Sequence, residues 1–332
     1  MPSFSMNSNN SRRRTSKSRY AFFHVISGGG LPTLVDRPNF FLKPEEADAM
    51  STVYLNGEYI PKEKAFVSVD DRGFLFGDGI YEVTAVYSGK MFRWDRHLAR
   101  MNRGLAALRI GFDPSSLEEV HNRLIQDNDL AGAQVSYVYT EITRGVAKRT
   151  HKFPPQPPTP TVYLFSGEYQ RPAREDWEKG YRSVTVPDQR WARRDLKTIQ
   201  LLANVFGAQA AADQGVDEIV FVNEGMAIEG SHNNLFMVFG ETVVTHPLSN
   251  QVLPGITREV VVDLTERLGY ELQERPVPLA EMFEADEIFH SGTLSEVKPC
   301  IEVDGKTIGS GKVGPVTRAL FDAFLAETGS AG

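Results

Sequence analysis

The sequence predicts an α+β protein built of two units, and three observations carry that prediction. Strand-like runs outnumber what a simple alternating βαβ pattern supplies. Two tight hairpin signals, Asn56-Gly57 and Ser88-Gly89, sit between short apolar runs. A polar stretch over 167–174 (GEYQRPAR) then reads as a linker between residues 50–166 and residues 175–332. The length of 332 residues suits one large or two ordinary domains. A formal charge of -7 argues against a dedicated nucleic-acid surface. No run reaches the roughly 18 apolar residues of a membrane span. The lone cysteine, Cys300, excludes an internal disulfide framework and reads as a small half-buried hydrophobe.

Residues 1–49 differ from the rest. Met1 to Thr33 carries Arg12, Arg13, Arg14, Lys17 and Arg19 without one acidic residue, which resembles a transit peptide in composition. The other reading is an upstream start, with the working protein beginning at Met50. Either way the segment is expected to be poorly ordered. The apolar stretch Phe22 to Ile26 is too short for a membrane signal.

The elements follow in order. Val53-Tyr54-Leu55 and Glu58-Tyr59-Ile60 flank Asn56-Gly57 as one hairpin. Tyr81 to Tyr87 and Lys90 to Phe92 flank Ser88-Gly89 as a second. Asp95 is expected to cap a helix that carries Leu98, Met101, Leu105 and Leu108 on one stripe. Another helix starts at Pro114-Ser115-Ser116. Strands follow at Gln134 to Ile142 and Val162 to Phe165, separated by a basic, Pro-rich loop. The second unit opens with a strand at Val184-Thr185-Val186. A helix over 198–213 is expected to turn Leu202, Phe206 and Ala210 inward. Strands come next at 218–222, 226–229, 234–239 and 242–245, then a helix at 257–268, a strand from Asp286 to His290, and a last helix opened by Pro315.

The sequence has no GxGxxG in a strand–helix context, no phosphate-binding P-loop, no HExxH and no GxSxG. Seven histidines without tight spacing give no metal site. Four local patterns remain. Lys197, in Arg193-Arg194-Asp195-Leu196-Lys197-Thr198, precedes an apolar helix, where a lysine is ordinarily a solvated flank residue. Glu229-Gly230-Ser231-His232-Asn233-Asn234, wedged between apolar runs, is either a long polar turn or a site loop. Leu253-Pro254-Gly255-Ile256-Thr257 opens a helix whose free N–H groups suit a phosphate, although most such starts bind nothing. Arg100 flanks its helix's apolar stripe, where a surface salt bridge is the default.

Taken together and in this order, the four patterns resemble fold-type IV pyridoxal-phosphate (PLP) enzymes. The resemblance runs from about Val53 to the last helix. It is closest to D-amino-acid transaminase through Asp71-Arg72-Gly73-Phe74, Phe76-Gly77-Asp78-Gly79-Ile80-Tyr81-Glu82-Val83, Thr143-Arg144-Gly145 and Arg149-Thr150-His151. It implies two domains, each a mainly antiparallel sheet with flanking helices, the larger one binding pyridoxal 5'-phosphate. Lys197 would form the Schiff base, and Glu229 would pair with the pyridine nitrogen. Arg100, Ile256, Thr257 and Thr293 would hold the phosphate. Tyr81, Arg149 and His151 would hold the substrate α-carboxylate, the last two reaching in from the neighbouring subunit of a homodimer. His232, Asn233 and Gly292 stand where the family has small hydroxyl residues, which puts the substrate range in question.

The implied activity moves an amino group from a D-amino acid such as D-alanine to a 2-oxo acid such as 2-oxoglutarate. Its partners are small amino and 2-oxo acids, not nucleic acid or membrane. The alternatives are a branched-chain L-amino-acid transaminase, an R-selective amine transaminase, an aminodeoxychorismate lyase and a non-catalytic PLP-binding protein. The expected location is cytoplasmic, or organellar if residues 1–49 act as a transit peptide.

Overall fold

A computed structural model describes residues 51–329, which fall within one compact unit. The expectations for residues 1–49 lie outside the described residues. The first sheet joins β1 (Thr52–Leu55), β2 (Glu58–Pro61), β3 (Gly79–Tyr87), β4 (Lys90–Met91), β5 (Val135–Thr143) and β6 (Thr161–Glu168). Its order is β2-β1-β6-β5-β3-β4, antiparallel throughout. Both expected hairpins form. Asn56 and Gly57 have φ of 52° and 101°, and Ser88 and Gly89 have 47° and 76°, the doubly positive pair that a two-residue turn of this hand requires.

Three helices serve this sheet: the short α1 (Arg72–Phe76), then α2 (Trp94–Leu108) and α3 (Leu117–Asp127). Met101, Leu105, Leu117 and Leu124 bury against Val138, Ile142 and Leu164 of the sheet. Each such side chain contributes roughly 1.5–3 kcal/mol by leaving water. Asp95 does not cap α2. Arg93 takes that position with φ of 54°, and Asp95 lies in the first turn, where its charge still suits the helix N-terminus.

The second sheet has ten strands. They are β7 (Tyr181–Pro187), β8 (Glu218–Asn223), β9 (Met226–Ala227), β10 (Asn234–Phe239), β11 (Thr242–Thr245), β12 (Glu271–Glu274), β13 (Val277–Pro278), β14 (Glu287–Gly292), β15 (Glu296–Val303) and β16 (Lys306–Thr307). Their order is β12-β11-β10-β14-β15-β7-β8-β9-β13, with β16 beside β15. Three pairings are parallel (β11 with β12, β15 with β7, β7 with β8) and the rest antiparallel, so the sheet is mainly antiparallel as expected. The remaining helices are α4 (Arg174–Trp177), α5 (Leu202–Asp213), α6 (Ile256–Arg267), α7 (Leu279–Met282) and α8 (Pro315–Glu327).

Helices α6 and α8 bury Val260, Val261, Leu264, Leu320 and Phe324 with Phe236 and Phe289 of the second sheet. That core also takes in Ala85 and Tyr87 of β3, so it continues into the first sheet. Where the sheets meet, the Tyr87 hydroxyl donates to Glu296 (3.0 Å), and Arg171 grips the same carboxylate with two N–H groups at 2.7 and 2.9 Å. Among the described residues no helix is long and apolar enough to cross a membrane. Cys300 is buried, and burial pushes its thiol up to about 11, the opposite of what a reactive thiol needs.

The expected inward face of α5 is wrong. Leu202 and Phe206 are 68% and 63% exposed, and the helix instead lays Gly207 and Ala211 on the sheet. A Cβ at Gly207 would stand 3.0 Å from the Phe221 ring, so the small residue permits this close approach.

Candidate active site

The segment 188–201, between β7 and α5, is laced to the start of β3. Tyr81 N–H donates to the Lys197 carbonyl (3.0 Å), and Ile199 N–H donates to the Gly79 carbonyl (3.2 Å). Leu196 and Thr198 are buried on either side of Lys197. These anchors fix the lysine where the two sheets meet, with Nζ 4.0 Å from the centre of the Tyr81 ring. The side chain lines a cavity enclosing about 750 Å³ of empty space, part of it open to solvent. Tyr81, Arg100, Glu229, Ile256, Thr257 and Thr293 line the same cavity. Seven of the nine residues to which the resemblance gives a site role thus come together from six separate stretches of chain.

Glu229 sits in the turn before β10, only 3% exposed. Its carboxylate accepts from Arg190 Nη1 (2.5 Å), Asn234 Nδ2 (2.9 Å) and Leu253 N–H (3.2 Å). Burial pushes its carboxyl above the usual range, against the pull of Arg190. Asn234 also donates to the Leu253 carbonyl (2.8 Å), tying this turn to the approach of α6. Gly255 then caps α6. A Cβ there would come within 2.1 Å of Asn234 Oδ1, so the close approach admits only glycine.

Arg100, on α2, is 7% exposed. It is not a surface salt bridge. Nε and Nη2 bind the buried Glu82 at 2.9 and 2.5 Å, and Nη1 donates to the Pro254 carbonyl (2.9 Å), next to the start of α6. These bonds use three of the five N–H groups a guanidinium carries, leaving two for a ligand. Burial pushes the Glu82 carboxyl up, but Arg100 and His97 outweigh it and hold it well below the usual range.

Arg149 and His151 do not reach the cavity within this chain. Both are exposed and lie beside Phe76, with the guanidinium 5.3 Å and the imidazole 5.8 Å from that ring. Sequence reasoning missed Arg190 and Asp188, and it gave no role to Arg194 and Glu82, which stand within the motifs it quoted. Arg190 gives Nε and Nη2 to Asp188 (3.0 and 2.8 Å) as well as Nη1 to Glu229, and Arg194 Nε lies 3.3 Å from Asp188. A signal existed for one of them: Glu82 is a charge at a buried position of an otherwise apolar strand, and such a group needs a partner.

A cofactor with a phosphate and a cationic ring fits these groups. Arg100 retains donors beside a helix start, Glu229 is a buried carboxylate not fully offset by its arginine, and Ser291 Oγ, buried at the cavity, has no partner among the described residues.

Residues 79–303 match the amino-transferase class IV family. The chain belongs to that family and is a PLP-dependent aminotransferase. It is 36% identical over 277 residues to a D-alanine aminotransferase of Staphylococcus haemolyticus, covering 83% of this chain and 97% of the relative. A D-alanine aminotransferase of Bacillus licheniformis is also 36% identical, over 83% of this chain and 98% of its own. Among solved structures, the Escherichia coli branched-chain amino acid aminotransferase superimposes with a TM-score of 0.77 at 26% identity, over 85% of this chain and 96% of its own. The branched-chain aminotransferase of the thermophilic archaeon Thermoproteus uzoniensis, solved with norvaline, gives 0.72 at 25%, over 84% and 95%.

Proposed function

We propose that the protein transfers the amino group of a D-amino acid, D-alanine among them, to a 2-oxo acid such as 2-oxoglutarate. The observation that carries this reading is the 36% identity to D-alanine aminotransferases along 83% of the chain. The structures named as branched-chain enzymes share the fold at 25–26% identity and mark the second reading, an L-amino-acid transaminase.

The bound cofactor supplies an electron sink for the charge left when the substrate Cα loses its proton. Lys197 Nζ would anchor the cofactor covalently and, once the incoming substrate amine has displaced it, would be free to carry that Cα proton. Glu229 holds positive charge at the pyridine nitrogen. The two spare donors of Arg100, the backbone at Ile256 and Thr257, and Thr293 hold the phosphate. Tyr81 orients the substrate carboxylate.

Arg149 and His151 complete this carboxylate grip in a homodimer, each protomer lending them to its partner's cavity. Two features support that assembly: the pair is exposed away from its own cavity, and α5 presents Leu202, Val205 and Phe206, each more than half exposed.

The test is a donor screen. D-alanine with 2-oxoglutarate should give pyruvate and D-glutamate faster than L-leucine gives its oxo acid. A better rate with L-leucine replaces this reading with the branched-chain one. Borohydride should fix the cofactor to the Lys197 peptide, and Lys197→Ala should abolish turnover. Label on another lysine would overturn the anchor.

A further inference from the structure

The basic groups around the cavity differ in how far they are already committed. Arg100 is bound to Glu82, Arg190 to Asp188 and Glu229, and Arg194 to Asp188. Lys197 is the proposed anchor. His232 stands apart: its side chain is 61% exposed on the cavity wall, while its neighbours Ser231 and Asn233 are buried.

The backbone under His232 is fixed. Asn204 Nδ2 donates to the Ser231 carbonyl (2.6 Å), Gly230 N–H donates to the Asn233 carbonyl (2.8 Å), and Asn233 Nδ2 donates to Glu218 (2.5 Å). The ring is fixed as well. Glu218, on β8, is buried behind the loop and does not line the cavity. Burial pushes its carboxyl up, yet the facing His232, His290 and Lys298 bring it down to about 2, so it is ionised and only accepts. The Ser231 hydroxyl has one proton and gives it to Glu218 (2.8 Å). It must therefore accept from His232 Nδ1, 2.7 Å away. That bond assigns the Nδ1 proton and leaves Nε2, among the described residues, without a protein partner. Glu218 Oε2, 3.7 Å from Nδ1, is the counter-ion when the ring is charged.

Three of the groups proposed to hold the cofactor are buried: Glu229, Arg100 and Thr257 are 3%, 7% and 4% exposed. A ring exposed on the wall of the same cavity is open to what enters next, the substrate. We propose that His232 is a specificity-determining residue that binds a second, distal carboxylate, so that the acidic substrates D-glutamate and D-aspartate and their 2-oxo acids are read at this position. The inference rests on the transaminase reading above. When both ring nitrogens carry a proton, Nε2–H is a donor held in place that suits a carboxylate by a charge-assisted bond, and a site built to make such a bond discriminates against a substrate that cannot answer it.

Two measurements on the holoenzyme test it. Calorimetry compares glutarate with pentanoate, five-carbon acids that differ in the second carboxylate. In His232→Ala the glutarate-to-pentanoate affinity ratio should fall at least about tenfold, the effect of one charged hydrogen bond. His232→Gln, which keeps a donor without charge, should fall between, and His232→Glu should drop below the alanine variant. Rapid-mixing half-reactions should show the D-glutamate to D-alanine ratio of kcat/KM falling by a similar factor. An unchanged ratio in both measurements, or equal weakening of both acids, would overturn the proposal. If the wild type takes no D-amino acid, the transaminase specificity falls, but the glutarate-to-pentanoate ratio still decides the role of His232.

Discussion

Glu82 and Glu229 are both almost fully enclosed, 1% and 3% exposed, and each is bound to an arginine, yet burial loses at one and wins at the other. Glu82 has two N–H groups of Arg100 and the ring of His97 at 3.1 Å. Glu229 has one arm of Arg190, whose other two bonds go to Asp188, and the charge of Asp188 itself opposes ionisation at Glu229. The contacts look alike, but the share of positive charge each carboxylate commands does not. Glu82 is fully compensated and holds Arg100 in place. Glu229 is under-compensated, which is what a site needs if a further cation, such as a protonated ring nitrogen, is to bind beside it.

The largest effect that would separate the two falls on catalysis. Glu229→Gln removes the charge but keeps the shape, and steady-state kcat with D-alanine should drop by about two to four decades, roughly 3–5 kcal/mol of barrier. An unchanged kcat with cofactor bound would make Glu229 a loop residue. Glu82→Gln should act chiefly on stability. It leaves the Arg100 charge buried with only neutral acceptors, the Pro254 carbonyl and an amide oxygen, at a cost of about 3 kcal/mol in urea unfolding, while kcat changes less than about tenfold. The reverse pattern, a stable but inactive Glu82→Gln protein, would erase the distinction.

A third effect concerns the residues that stay outside the cavity. If Arg149 lies on a partner's substrate, Arg149→Ala should lower kcat/KM for D-alanine at least about 30-fold, roughly 2 kcal/mol, while leaving the cofactor spectrum and the reaction of an amine without a carboxylate nearly intact. A solvated loop charge would change either by much less than about 1 kcal/mol. Equal loss on both substrates would remove Arg149 from the carboxylate grip.

What the sequence made legible follows from the range of each interaction. Asn56-Gly57 and Ser88-Gly89 were readable because a two-residue turn is specified within about four residues. The stripe of Met101 and Leu105 was readable because α2 has a charged face to contrast with it. Helix α5 has no such contrast. Leu202, Val205, Phe206 and several alanines surround it, so periodicity could not say which side meets the sheet. The answer lay in Gly207 and Ala211, which fit under Phe221, a residue of β8. Strand β15 escaped notice because Glu296, Lys298 and Pro299 interrupt its apolar pattern, although Pro299 pairs with Phe289 inside the sheet. In the site, the order of Arg100, Lys197, Glu229 and Gly255 was recognisable from local motifs. The Arg190–Asp188 pair was not, because its meaning depends on Glu229, 39 residues along the chain from Arg190.

The smallest effect is also the most direct test of the comparison, because it asks for opposite signs. A group whose carboxyl is held low in the folded state stabilises the protein above its unfolded value, about 4.3, and that contribution disappears as pH falls through the folded value. Glu82 is such a group, so the stability gap between wild type and Glu82→Gln should narrow on acidification below about pH 4. Glu229 is raised, so its sign is reversed. Its contribution is complete below about pH 4.3 and is lost as pH rises through the folded value, and each pH unit that separates the folded from the unfolded value is worth about 1.4 kcal/mol. Relative to Glu229→Gln, the wild type should therefore lose stability from about pH 4 upward. The cofactor sharpens the contrast. In apoenzyme the Glu229 slope should be present. In holoenzyme a cation beside the carboxylate lowers its pKa again, and the slope should flatten, while the Glu82 slope stays as it was. Urea unfolding of the three proteins from about pH 3 to pH 7, with and without cofactor, reads all of this. Slopes of the same sign for the two variants, or a Glu229 slope that the cofactor leaves untouched, would show that the two carboxylates are equivalent after all.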